Sequence, residues 1–68
     1  MTKIISIEGM SCGHCVKHVE TALKGLPSVK SVKVDLKKNQ AEVALSSEDD
    51  QAIRDAVSDA GYTVTKIE

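Results

Sequence analysis

The hydrophobic pattern of this 68-residue chain switches repeatedly between a strand period and a helix period, which constrains its fold more than any other feature. Lys3-Ile4-Ile5-Ser6-Ile7-Glu8 is rich in β-branched residues and predicts a strand with Ile5 and Ile7 on one face, closed by Gly9. Val16, Val19, Leu23 and Leu26 then recur at helical spacing, with Ala22 widening the stripe and Lys17, His18, Glu20, Thr21 and Lys24 mostly opposite. Gly25 weakens the last turn and Pro27 bars continuation. From Val29 to Leu36 the period returns to two, with Val32, Val34 and Leu36 alternating against Lys33 and Asp35. Lys37-Lys38-Asn39 reads as a hairpin connection, because Asn tolerates positive φ, and Ala41, Val43 and Leu45 mark an antiparallel third strand.

A second helix is predicted after Ser47-Glu48-Asp49-Asp50, with Ser47 as N-cap and acids in the first turn where the helix dipole favours them. Ala52, Ile53, Ala56, Val57 and Ala60 form its apolar stripe, and Gly61 stands where a left-handed C′ residue belongs. Tyr62 to Ile67 reads as a last strand, although Val64 and Ile67 break strict alternation and leave its register open. The order β-α-β-β-α-β, with right-handed crossovers, fits an α+β ferredoxin-like sandwich: a four-stranded antiparallel sheet with two helices on one face. Length allows one small domain, residues 1–68, whose apolar packing supplies about 3–5 kcal/mol of net stability. With no Trp or Phe and one Tyr, that core must be aliphatic.

Charge excludes some classes of partner. Residues 1–38 hold seven lysines against three acids, residues 39–68 hold seven acids against Arg54 and Lys66, and the net charge is −1. A nucleic-acid binder would carry a larger basic excess and aromatic or arginine readers, so none is expected. The apolar run after Met1 is too short for a signal peptide or a membrane span, so a cytoplasmic setting with reduced thiols is expected.

Between the first strand and first helix lies Gly9-Met10-Ser11-Cys12-Gly13-His14-Cys15, which holds both cysteines and one of the two histidines. The pattern predicts Cys12 on the loop and Cys15 in the first helical turn, with Gly13 letting the backbone bend so that the sulfurs converge. Free N–H groups and partial positive charge at a helix start favour thiolate over thiol, lowering a cysteine pKa from about 8.5 to roughly 3.5–7.5 in such places. Thiolates are soft ligands that select Cu(I), Zn(II) and heavier relatives over Mg or Ca. Two sulfurs suffice for Cu(I), whereas a structural Zn(II) site usually closes with four ligands. An open pair also admits an incoming thiolate, so the metal can pass between proteins without being free. A disulfide closing so short a loop would restrain little of the unfolded chain.

The loop, in its strand-to-helix setting, resembles the Gly-Met-x-Cys-x-x-Cys loop of the heavy-metal-associated domain family, and in particular its bacterial copper chaperones. The resemblance runs over nearly the whole chain, including Gly61-Tyr62. It implies a non-enzymatic carrier that binds Cu(I) through Cys12 and Cys15. It also implies handover to the N-terminal metal-binding domains of a copper-transporting P-type ATPase or to a copper-responsive repressor. The apo protein is expected to be a monomer, with a copper-bridged dimer left open. The family also contains Hg(II), Zn(II) and Cd(II) binders; acids beside the cysteines, common in its divalent-ion members, are absent here.

Other readings stand beside this one. Met10 carries a thioether but reads first as a core plug. His14 reads as tuning the thiolates rather than ligating, and His18, four residues on, completes a His-x-x-x-His pair that reads as solvated. The resemblance implies that Tyr62 shields the metal; packing on aliphatic side chains is the competing account. Lys17 and Lys24 suit either a docking face or simple solubility. A thiol–disulfide oxidoreductase cycling Cys12 and Cys15 also uses Cys-x-x-Cys at a helix start, but the Trp and Pro around the thiols of thioredoxin-like enzymes are missing.

Overall fold

The apolar alternation of the first strand resolves in the computed structural model, which describes residues 1–10 and 13–68, into an inner sheet face carrying Ile5 and Ile7 at the core. The elements follow the predicted order: β1 (Thr2–Glu8), α1 (Gly13–Lys24), β2 (Val29–Asp35), β3 (Gln40–Leu45), α2 (Asp50–Asp59) and β4 (Thr63–Ile67). Among the described residues the strands form one four-stranded sheet, ordered β2-β3-β1-β4, in which every neighbouring pair is antiparallel. This is the ferredoxin-like arrangement, with β1 and β3 central and each crossover helix packed near an edge strand, α1 by β2 and α2 by β4.

The core is aliphatic, as the composition requires. Ile5, Ile7, Val19, Leu23, Val43, Leu45, Ile53 and Val57 form one cluster at 0–1% exposure, each contributing about 1.5–3 kcal/mol by burial. The helix stripes are narrower than predicted. Only Val19 and Leu23 of α1 and Ile53 and Val57 of α2 are fully buried, while Val16, Ala22, Ala52, Ala56 and Ala60 are half-buried. The small alanines leave space unfilled between the two helices at the surface, a groove of about 530 Å³ lined also by Leu26, Asp55 and Asp59.

Two irregularities in the sequence pattern become β-bulges. On β4, Lys66 lies opposite Ser6 and Val64 opposite Ile7, so Thr65 is the extra residue; its hydroxyl donates to the Ser6 carbonyl at 3.3 Å. The bulge lets both Val64 and Ile67 pack against the core despite their spacing of three. On β2, Val29 faces Leu45 and Ser31 faces Ala44, making Lys30 the extra residue and letting Val29 join Val32 on the core side.

Two predicted boundaries are corrected. Leu36 is not part of the buried alternation: β2 stops at Asp35, and Leu36 is 37% exposed. The Asp35 carboxylate accepts the Lys38 N–H at 3.3 Å and the Leu36 carbonyl accepts the Asn39 N–H at 3.3 Å, which starts the turn early. Asn39 takes φ +53°, as read from the sequence. Ser47 is not the N-cap of α2. That position falls to Asp49, whose side chain makes no capping bond and instead accepts from the Ser28 hydroxyl at 3.5 Å. The segment before Asp49 is needed to leave β3, where Ser46 N–H bonds the Ser28 carbonyl at 2.8 Å.

Lys3, on the inner face of β1, ties this junction together. Its side chain is 14% exposed and its ammonium lies 2.7 Å from both Glu48 and Asp50. Hydrogen bonds from Asp50 first and Glu48 second raise its pKa above the ordinary 10.5, because both hold the charged form. A raised lysine pKa contributes stability that is present below pH 10.5 and lost as pH rises through the folded value. The stability difference between wild type and Lys3→Met is therefore expected to be constant at neutral pH and to shrink above pH 10.5, measured by urea unfolding followed by circular dichroism. In the core, Ile53→Ala is expected to cost about 2–5 kcal/mol. With only about 3–5 kcal/mol available in a domain this small, the variant should lose most of its stability and unfold at a much lower urea concentration by the same measurement.

Candidate metal centre

The strand end, helix start and second-helix cap meet at one end of the sandwich. Gly9 follows β1 with φ +104°, a conformation that side chains disfavour, and a Cβ there would sit 3.3 Å from Cδ1 of the Tyr62 ring. Glycine is thus required twice over, for its backbone angle and for the approach of the ring. Met10 turns inward and is buried in the core cluster at 7% exposure, so the core-plug reading describes where its side chain goes. Ser11 and Cys12 lie outside the described residues, and with them the expected loop position of Cys12.

From Gly13 the chain is helical, which puts Cys15 in the first turn of α1, as the sequence predicts. Cys15 is half-buried and packs against the aliphatic core, at a helix start whose partial positive charge favours negative charge. His14 is exposed next to it, and His18 is exposed one turn further along. A Cβ at Gly13 would meet nothing within 4 Å among the described residues, so the bend assigned to this glycine carries no steric demand from them.

Tyr62 reaches the loop because of the way α2 ends. Gly61 takes φ +97° as the C′ residue, its N–H bonding the Ser58 carbonyl at 3.0 Å while the Tyr62 N–H bonds the Val57 carbonyl at 3.1 Å. These are the paired bonds of a Schellman cap. The cap aims the half-buried Tyr62 ring at Gly9, so it packs on the core and stands at the entrance of the thiol loop at once. The sequence signalled the cap through Gly61 but not its aim at Gly9, 53 positions away by the numbering. On α1, Lys24 is paired with Glu20 at 2.9 Å, whereas Lys17 is exposed.

Comparison with known proteins gives a consistent result. The model of the heavy-metal-associated domain matches residues 4–63. The chain is 42% identical over 66 residues to a copper chaperone CopZ of Staphylococcus haemolyticus, covering 94% of this chain and 97% of the relative. It is 41% identical over 66 residues to a copper chaperone CopZ of Bacillus subtilis, covering 94% and 96%. Among solved structures, a CopZ metallochaperone superposes with TM-score 0.89 at 39% identity, covering 96% of this chain and 100% of that one. A copper binding domain from HMA7, a P-type ATPase, superposes with TM-score 0.85 at 28% identity, covering 100% and 99%.

Gly9→Ala is expected to destabilise the fold by about 1–3 kcal/mol, since it forces a strained backbone angle and displaces Tyr62. Gly13→Ala should lie within about 1 kcal/mol of wild type or above it, because alanine favours helix. Urea midpoints of the two variants check the contrast.

Proposed function

Because the chain belongs to the heavy-metal-associated domain family, matched over residues 4–63, we propose that residues 1–68 form one such domain acting as a cytoplasmic chaperone for Cu(I). The carrying observation is Cys15 in the first turn of α1, behind a strand end that Gly9 and Tyr62 hold in place. Cys12, three residues earlier, supplies the second sulfur. The names of the relatives, copper chaperones at 41–42% identity, support copper as the cargo.

The chemistry follows from the ligand set. Helix-start N–H groups favour the thiolate of Cys15, so less proton release opposes metal capture at neutral pH. Two thiolates bind Cu(I) and leave its remaining coordination positions open. A thiolate of the receiving protein adds to the ion, one chaperone sulfur then leaves, and a second exchange completes transfer; no electron moves, and the copper stays monovalent throughout. Met10 supports the loop from the core, His14 tunes the sulfurs from the exposed side, and the Tyr62 ring shields the ion from water. The recipient is the N-terminal metal-binding domain of a copper-transporting P-type ATPase or a copper-responsive repressor. The likeness to a copper binding domain of a P-type ATPase supports the first, because similar folds with similar loops can exchange ligands between matching sites.

Cys12→Ser and Cys15→Ser are each expected to lower Cu(I) affinity by more than about 100-fold, with the far-ultraviolet spectrum unchanged. The factor corresponds to losing about 2.7 kcal/mol or more of ligand binding. Titration of the reduced proteins against a competing Cu(I) chelator measures it; undiminished affinity in either variant overturns the assignment. The same titration with Zn(II) and Hg(II), with X-ray absorption reporting coordination, decides the cargo.

A further inference from the structure

The exposed face of α1 carries a second donor set, of nitrogen rather than sulfur, in which His14 also borders the thiol loop and His18 takes no part in the proposed thiol chemistry. His14 and His18 are four residues apart within one continuous helix, Gly13–Lys24, and both are exposed. That spacing places side chains on one helix face, one above the other, with Cβ atoms about 5–6 Å apart. It is the spacing by which the two histidines of a His-Glu-x-x-His helix bind one zinc ion. Neither imidazole is held by a hydrogen bond or ion pair among the described residues, so no existing partner must be displaced. The helix beneath is fixed by Val19 and Leu23, both at 0% exposure, so the backbone spacing of the pair is set before any ion arrives.

We propose that His14 and His18 form a chelating pair for a borderline divalent ion, Zn(II), with water completing the coordination. Imidazole suits Zn(II) far better than Mg or Ca, and solvent exposure leaves room for the remaining ligands. The site is separate from the thiol pair in chemistry: nitrogen donors on the outer helix face rather than sulfurs at the loop. It would let the protein hold a divalent ion while the cysteines are engaged, and it does not depend on copper being their cargo.

The test uses the full chain carrying Cys12→Ser and Cys15→Ser, titrated with Zn(II) at about pH 7.5. Nuclear magnetic resonance follows the two imidazole rings. Both are expected to shift together and saturate at one equivalent. His18→Ala in this background is expected to weaken binding by more than about tenfold, the least that even an outer-shell partner of a metal site contributes. Unchanged affinity in the His18→Ala protein, or shifts confined to the acidic stretch Glu48–Asp50, overturns the proposal. Should the serine variant fail to fold, the wild-type chain with both thiols capped as methyl disulfides serves for the same titration. Zinc binding that appears only with uncapped thiols also overturns the histidine site, and leaves the copper reading standing.

Discussion

The packing of two amphipathic helices onto Ile5 and Ile7 of the central strand is the constraint from which the rest follows. A chain of 68 residues with Tyr62 as its one aromatic side chain must keep its helices close to the sheet and pack them through Val, Leu and Ile. Val19 and Leu23 from one helix and Ile53 and Val57 from the other meet that pair with no exposure. Tight aliphatic packing of this kind leaves few tolerated volumes, which is why small changes in the core are felt throughout the domain.

That packing also explains the placement of the thiol loop. With β1 central and α1 laid back across the sheet, the connection between them must turn sharply at one end of the sandwich, and Gly9 supplies the turn. The second helix ends at the same place, where its cap turns Tyr62 onto Gly9. Cys15 therefore sits on a rigid platform: buried apolar residues below, a helix start beside it and an aromatic ring at the loop entrance. The ligand exchange proposed above gains from such support, because the protein part stays fixed while the ligands trade. The outer side of α1 remains open, and His14 and His18 occupy it.

Several of these features were legible in the residues. Element order followed from the changes of hydrophobic period, Asn39 and Gly61 announced positive φ, and Cys15 fell in the first helical turn because its neighbours begin the stripe of α1. Ser47 and Leu36 misled for a common reason. Each has the right residue type for its assigned role, but hydrogen bonds at the two ends of the sheet decide where strands stop: the long-range bond of Ser46 to Ser28, and the local bond of Lys38 to Asp35 at the hairpin. The off-beat spacing of Val64 and Ile67 left the register of the last strand open, and a bulge in that strand accounts for it. Lys3 carried no signal beyond its place in the first strand, yet it is the tie between β1 and the start of α2.

By itself the sequence determined which residues are apolar and at what period, and therefore the six elements, their order and the place of Cys15 at a helix start. These are local properties, set by neighbours within one or two turns. Only the tertiary structure decided that Tyr62 lies on Gly9, that Lys3 reaches Glu48 and Asp50, and that bulges at Lys30 and Thr65 turn uneven patterns inward. Those contacts join residues far apart in the chain, and their partners are chosen by how the layers close over a shared core.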